Sequence, residues 1–287
     1  MNVGEIKTVA VIGAGVMGHG IAQLAAQSGL RVNLFDIDRG ILDQAVAMVG
    51  KNLQTGVDKG KLAAAAAAAT KERMQVFTDL KQAAAPAQLI IEAVPEKMEL
   101  KRRIFGDLSI FCARDAILAT NTSSLSISDI AAAATQPERV LGMHFFNPPF
   151  IMKLLEVVTA NQTASHVLAT VKQFGAEVLT RDVIVVKDMP GFATSRLGVV
   201  LGLEAIRMLE EGVASAADID TAMEQGYRHP MGPLKLTDMI GLDTRLSIAN
   251  YLHEKLGGEH YRPPKLLQRL VADGKLGKKS GEGFYKW

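Results

Sequence analysis

The stretch from Thr8 to Gly29, TVAVIGAGVMGHGIAQLAAQSG, decides the fold. It starts as a short apolar strand pattern, passes through glycines spaced G-x-G-x-x-G, and continues as a helix. In such a turn the first glycine permits a tight bend, the second lets a pyrophosphate approach the backbone, and the third lets helix and strand pack closely. The stretch therefore predicts a dinucleotide-binding turn, with Gly13, Gly15, Val16, Met17 and Gly18 as its contact residues.

The next strand pattern, RVNLFD, ends in Asp36, which bears on the choice of dinucleotide. At this distance from the glycine turn a carboxylate accepts hydrogen bonds from the adenosine ribose, and it repels a 2′-phosphate. Arg39 follows closely and offers a guanidinium that can reach such a phosphate. We expect NAD rather than NADP.

Eight apolar runs alternate with helical stretches up to about residue 187: TVAVIG, RVNLFD, MQVFTD, QLIIEAV, AILATN, RVLGMHFF, KLLEVVT and DVIVVKD. Apolar strands separated by helices are typical of a mainly parallel, doubly wound α/β sheet of the Rossmann type, covered on both faces. Beyond KDMPGF the period-two runs stop and apolar residues recur three and four apart. We predict a nucleotide-binding domain at 1–187 and an all-helical substrate domain at 188–287, which forms a homodimer because its apolar faces exceed what it can bury.

Composition excludes several other functional classes. Lys+Arg 32 against Asp+Glu 30 leaves no basic surface for nucleic acid or an anionic membrane. No apolar run approaches the roughly 20 residues that span a bilayer, and the N-terminus lacks a signal-peptide pattern, so we expect a cytoplasmic protein. The single cysteine, Cys112, excludes a disulfide and a multi-thiolate metal site, and we expect no metal.

Polar residues follow two adjacent strand patterns, in AILATNTSSL and RVLGMHFFNPP. Ligands of open parallel sheets bind beyond the carboxyl ends of the strands, so Asn121, Ser123, His144 and Asn147 should gather there. Glu156, in KLLEVV, should lie within reach. A histidine paired with a carboxylate is a base held in one tautomer. A lone histidine beside aromatic rings can equally be a core residue, and Ser123 can be a turn residue.

Seven motifs occur in order along the chain: VIGAGVMGHGIA, EAVPE, TNTSSL, HFFNPP followed by LLEVV, KDMPGF, GPLKLTDMIGLD and GKKSGEGFYKW. In combination they resemble the L-3-hydroxyacyl-CoA dehydrogenase family. The likeness runs from about residue 6 to the C-terminus and is greatest to its short bacterial 3-hydroxybutyryl-CoA dehydrogenases. It implies NAD and an acyl-CoA substrate. It also implies a catalytic His144, oriented by Glu156, with Ser123 on the substrate oxygen and Asn147 near the nicotinamide.

The resemblance extends to residues with weaker signals. Glu96 and Lys101 match positions near the cofactor ribose and carboxamide, although an exposed helix pair is an equal alternative. Lys51 and Lys59 match a segment that meets the CoA phosphates, although such lysines commonly form a solvated face. PGFATSR places Ser195 where the family has an asparagine that lines the substrate pocket, and a hydroxyl makes fewer hydrogen bonds than an amide.

Two other functions compete with this interpretation. A β-hydroxyacid dehydrogenase of the 3-hydroxyisobutyrate or 6-phosphogluconate kind also joins a glycine turn to a helical domain, but it uses a helical lysine where this chain has HFFNPP. The other alternative is a non-catalytic, crystallin-like dinucleotide-binding protein. The replacement of the family's asparagine by Ser195 supports this alternative, whereas the presence of both His144 and Glu156 argues against it.

Overall fold

The computed structural model describes residues 1–287, which divide into two compact units, Met1–Met189 and Pro190–Trp287. The strands, all in the first unit, are β1 Thr8–Ile12, β2 Arg31–Phe35, β3 Met74–Phe77, β4 Leu89–Glu92, β5 Ile117–Thr120, β6 Val140–Phe145, β7 Leu154–Thr159 and β8 Asp182–Lys187. The helices of that unit are α1 Val16–Gln27, α2 Arg39–Asp58, α3 Ala64–Glu72, α4 Leu80–Ala84, α5 Met98–Phe111, α6 Ile127–Ala131 and α7 Ser165–Gln173.

All eight predicted strands form one sheet, in the order β3-β2-β1-β4-β5-β6-β7-β8. Every neighbouring pair is parallel except β6 and β7, which are antiparallel. Residues 146–153 are too few for the crossover of a dozen or more that a parallel pair needs, so the chain reverses instead. The Rossmann-type, mainly parallel α/β fold is confirmed.

The strand order changes direction at β1, which pairs with β2 on one side and β4 on the other. Such a change leaves a crevice beyond the carboxyl ends of the strands. Packing fixes the helices around it: α2 buries Leu42, Ala45, Val49 and Leu53, a stripe with helical spacing, and α1 buries most of its length.

β8 differs from the expectation of a sheet covered on both faces. Most of its residues are exposed or half-buried, including Ile184 and Val185. It is an edge strand that pairs on one side only, with β7, so its apolar run does not mark a buried strand.

The second unit consists of helices, α8 Thr194–Glu210, α9 Ala216–Gly226, α10 Pro233–Ile240, α11 Leu242–Leu256 and α12 Lys265–Ala272. Its core includes Leu203, Leu234 and Leu252. The C-terminal GFYKW segment is held by Asp238, whose carboxylate accepts from the amides of Phe284 and Tyr285 at 2.9 Å. No helix in either unit combines the length and the apolarity that crossing a bilayer requires.

Candidate active site

The glycine turn connects β1 to α1, and each motif glycine has its own steric reason. A Cβ on Gly13 would lie 2.8 Å from the Ala93 carbonyl oxygen, and φ there is +98°. A Cβ on Gly18 would lie 1.7 Å from the Gly13 carbonyl oxygen. Around Gly15 there is open space, with nothing within 4 Å of a Cβ. The first and third glycines are therefore needed for packing, and the second leaves room for a ligand.

The N-terminus of α1 faces this space. Its N-cap, Gly15, supplies no side-chain hydrogen bond, so the first amides of the helix, at Val16 and Met17, have only ligand or solvent to meet. The helix dipole favours negative charge at this end. The turn thus fits the pyrophosphate of a dinucleotide.

Asp36 stands at the end of β2 and is fixed by backbone amides. Its Oδ2 accepts from the Ala14 amide at 2.9 Å, and its Oδ1 from the Asp38 amide at 3.1 Å. Arg39, by contrast, pairs with Asp43 at 2.9 Å on the exposed surface of α2. The fixed charge beside the turn is therefore negative, and the guanidinium already has a counter-ion, which fits a ribose hydroxyl better than a 2′-phosphate.

One cleft, of about 760 Å³, joins the glycine turn to His144. It lies within the first unit at the carboxyl edge of the sheet. Of the predicted site residues it is lined by Gly13, Gly15, Val16, Met17, Asp36, Glu96, Lys101, Asn121, Ser123 and His144. Its apolar walls include Ile37, Ile41, Leu100 and Ile104, which the sequence analysis missed. Ile37 directly follows Asp36 and is 86% exposed. An apolar residue directly after this aspartate in the sequence could have indicated an apolar wall of the cleft.

His144 and Glu156 face each other across the antiparallel pair. They are direct partners in the register of β6 and β7, so their side chains lie on the same face of the sheet. His144 Nδ1 lies 2.7 Å from Glu156 Oε2, and the two residues are 7% and 0% exposed. A neutral ring that donates from Nδ1 to the carboxylate presents Nε2 as the basic nitrogen.

The HFFNPP segment is anchored near both of its ends. The Phe145 amide donates to the Asn121 side-chain oxygen at 2.8 Å, which ties β6 to the end of β5. Pro149 packs on α1 so closely that a Cβ on Gly20 would lie 2.7 Å from its ring. Asn147, predicted near the nicotinamide, is exposed in the loop and does not line the cleft.

Lys101 is a buried cation rather than a member of an exposed helix pair. It is 1% exposed, and its Nζ lies 2.7 and 3.0 Å from the two oxygens of Glu92, which is fully buried at the end of β4. Its Nζ is also 3.4 Å from Glu96. Glu92 was not predicted as a site residue, although a carboxylate at the end of the apolar run LIIE is a signal that can be seen in the sequence.

Glu96 links this ion pair to the loop after β5. One of its oxygens accepts from the Thr122 hydroxyl and from the Ser123 amide, the latter at 3.0 Å. Burial by itself would raise the pKa of Glu96, but the Lys101 charge and these hydrogen bonds hold that pKa below its usual value. Burial raises the pKa of Glu92, against the opposing charge of Lys101. The network holds the TNTSS loop against the cleft.

Three predicted substrate residues lie outside this cleft. Lys51 in α2 and Lys59 directly after it are exposed. Ser195 belongs to the second unit, where it is the second residue of α8 and half-buried.

Two family models match the chain: the NAD binding domain of 3-hydroxyacyl-CoA dehydrogenase over residues 8–189, and the C-terminal domain of the same enzyme over residues 191–287. A probable 3-hydroxybutyryl-CoA dehydrogenase of Bacillus subtilis is 42% identical, over 99% of this chain and 98% of the relative. A 3-hydroxyadipyl-CoA dehydrogenase of Escherichia coli is 42% identical, over 99% of this chain and 59% of the relative. The crystal structure of (S)-3-hydroxybutyryl-CoA dehydrogenase PaaH1 from Ralstonia eutropha has a TM-score of 0.95 at 38% identity and covers 99% of both chains. The chain belongs to the 3-hydroxyacyl-CoA dehydrogenase family.

Proposed function

We propose that the protein is an NAD-dependent dehydrogenase that interconverts (S)-3-hydroxyacyl-CoA and 3-ketoacyl-CoA, with 3-hydroxybutyryl-CoA and acetoacetyl-CoA as the first pair to test. The observation that carries the proposal is the single cleft that connects the glycine turn and Asp36 to His144 and its buried carboxylate. Family membership supplies the class of substrate. We assign residues 1–187 to the nucleotide-binding domain and residues 188–287 to the helical domain that contacts the acyl group and the partner subunit.

The nicotinamide supplies hydride transfer to and from C3 of the substrate. His144 removes the proton of the 3-hydroxyl in oxidation and returns it to the ketone oxygen in reduction. Glu156 keeps the ring oriented and stabilises it when it carries the second proton. The Ser123 hydroxyl donates to the same oxygen, and the Glu96 network keeps its loop in place. Met17, Val16 and the motif glycines hold the phosphates, and Asp36 holds the ribose. Lys101 and Asn121 line the nicotinamide end. Asn147, in the exposed loop beside the cleft, is assigned to the nicotinamide on the family resemblance alone.

The remaining assignments concern the substrate and the partner. Lys51 and Lys59 are exposed cations suited to the CoA phosphates, and Ser195 is proposed to contact the acyl thioester. We propose a homodimer formed through the helical unit, because α8 and α10 leave Leu197, Leu236, Met239 and Ile240 exposed. We propose that the protein acts in the cytoplasm.

The test is NADH oxidation on addition of acetoacetyl-CoA to purified protein. His144→Gln should lower kcat by about 10²- to 10⁴-fold, the usual contribution of a general acid, while NADH binding is retained. His166→Gln is the matched control, because His166 is exposed on α7 and does not line the cleft. Turnover retained in His144→Gln would refute the assignment.

The same assay separates the competing functions. Oxidation of free 3-hydroxyisobutyrate, without reduction of acetoacetyl-CoA, would identify a hydroxyacid dehydrogenase. NADH binding with no turnover of either substrate would identify a non-catalytic protein.

A further inference from the structure

Phe146, the second aromatic residue of HFFNPP, lies against the ring of His144. The two ring centroids are 4.6 Å apart, and the ring planes are tilted by 50°. Phe145, between them, is buried in the core that the sheet forms with α1, so the side chains alternate across the sheet and Phe146 shares the side of His144. Phe146 itself is half-buried and does not belong to that core. Its ring is therefore placed beside the histidine and not in the core.

The hydrogen bond to Glu156 holds only one nitrogen of the His144 ring. Nδ1 lies 2.7 Å from the carboxylate, but the terminal side-chain torsion of a histidine has a broad energy minimum, so the ring can still swing. A swing would move Nε2, the nitrogen that exchanges a proton with the substrate in the proposed reaction. A second ring packed against the imidazole restricts this movement without using either nitrogen.

The charge of His144 changes during the proposed reaction, and an aromatic neighbour responds to that change. In oxidation the proton of the 3-hydroxyl passes to Nε2 while the hydride passes to the nicotinamide, so the neutral imidazole becomes an imidazolium. The π-system of an aromatic ring attracts a cation within about 6 Å of its centroid. The Phe146 ring lies inside this distance. It therefore stabilises the charge that develops in the transition state more than the neutral ring that precedes it.

We propose that Phe146 is a positioning residue for the reaction, which keeps the imidazole of His144 in the orientation set by Glu156 and stabilises the charge that the imidazole gains. This inference rests on the proposed function, which makes His144 the acid–base group. The two aromatic residues of HFFNPP then have different tasks: Phe145 packs in the core, and Phe146 supports the base.

The experiment measures oxidation of (S)-3-hydroxybutyryl-CoA by NAD with purified Phe146 variants. Phe146→Leu keeps an apolar side chain but removes the ring, so kcat should fall by about 3- to 30-fold, with KM and the Kd for NADH near their wild-type values. Phe146→Met, a second variant without the ring, should show the same loss. Phe146→Tyr keeps the ring and should restore kcat to near the wild-type value.

Phe77→Leu is the matched control. Phe77 is also a half-buried phenylalanine, at the end of β3, and it does not line the cleft. The variant loses the same ring elsewhere in the sheet and should keep the wild-type kcat.

A double-mutant cycle tests whether the Phe146 ring acts through His144. When His144→Gln is already present, Phe146→Leu should cause no further fall in kcat, because the group that it supports is gone. A further fall as large as in the wild-type background would overturn the proposal, since the ring would then act on another part of the site.

Three other results would overturn the proposal as well. The first is a wild-type kcat in the Phe146→Leu and Phe146→Met variants. The second is a rise in KM with an unchanged kcat, which would mean that the ring shapes the substrate site. The third is a Phe146→Tyr variant as slow as Phe146→Leu. Turnover retained in His144→Gln alone refutes the proposed function, whereas its loss there, with no effect of Phe146→Leu in the wild-type background, refutes only this inference.

Discussion

Replacing Glu156 with Gln tests whether the carboxylate behind His144 does more than fill space. The substitution keeps the size of the side chain and one oxygen, but it removes the negative charge that lies 2.7 Å from Nδ1. Both groups are almost fully buried, so water cannot replace the lost interaction. Hydrogen bonds to charged groups contribute about 1.5–3 kcal/mol, which corresponds to a loss of about 10- to 100-fold in kcat.

The assay is steady-state reduction of acetoacetyl-CoA, together with NADH binding measured by fluorescence titration. We expect kcat to fall while the Kd for NADH stays near the wild-type value, because the carboxylate acts through the ring and not on the nucleotide. Glu72→Gln is the control, since Glu72 is exposed at the end of α3. A loss of less than about threefold in kcat, or an equal loss in NADH affinity, would refute the reasoning.

Three further predictions concern charges along the cleft. Asp36→Asn keeps an acceptor for the Ala14 amide but removes the charge that repels a 2′-phosphate. The ratio of kcat/KM for NADPH to kcat/KM for NADH should therefore rise about 5- to 50-fold. An unchanged ratio would contradict this prediction. Lys101→Met leaves the Glu92 carboxylate buried without its cation. The free energy of unfolding, measured by urea titration, should fall by about 3–5 kcal/mol. Adding Glu92→Gln should restore part of this loss, because it removes the unpaired charge. The pKa of Glu96 is held below its usual 4.5, so the ionised carboxylate adds stability above that pH, and this contribution disappears as the pH falls through the folded-state pKa. Glu96→Gln should therefore flatten the decline in the free energy of unfolding below about pH 4.5. An identical pH profile in the variant would count against the network.

Much of the first unit could be predicted from local sequence because its strands are continuous apolar runs. The antiparallel turn between β6 and β7 could not, since periodicity does not report the direction of a strand. That direction matters to the site: it gives the register that sets Glu156 opposite His144, where sequence alone predicted only proximity.

Lys101 shows how a polar site residue escapes pattern analysis. It occupies a position on the buried stripe of α5, with Ile104, Phe105 and Leu108 at the following positions. A lysine at this position indicates either that this face of the helix is exposed or that the lysine is buried beside an acidic partner, and the sequence does not distinguish the two. The partner, Glu92, lies on another element, so only the tertiary fold decides.

The contact between Pro149 and Gly20 carries a consequence for protein engineering. Helix α1, whose N-terminus faces the cleft, and the loop that follows His144 pack together here with no room for a methyl group on residue 20. A glycine turn and helix taken from another enzyme to change cofactor preference would therefore have to bring a residue as small as glycine at position 20, or they would displace the loop that follows His144. The two ends of the cleft are in this way mechanically coupled, so a change in α1 has to be matched by a change in the loop that follows His144.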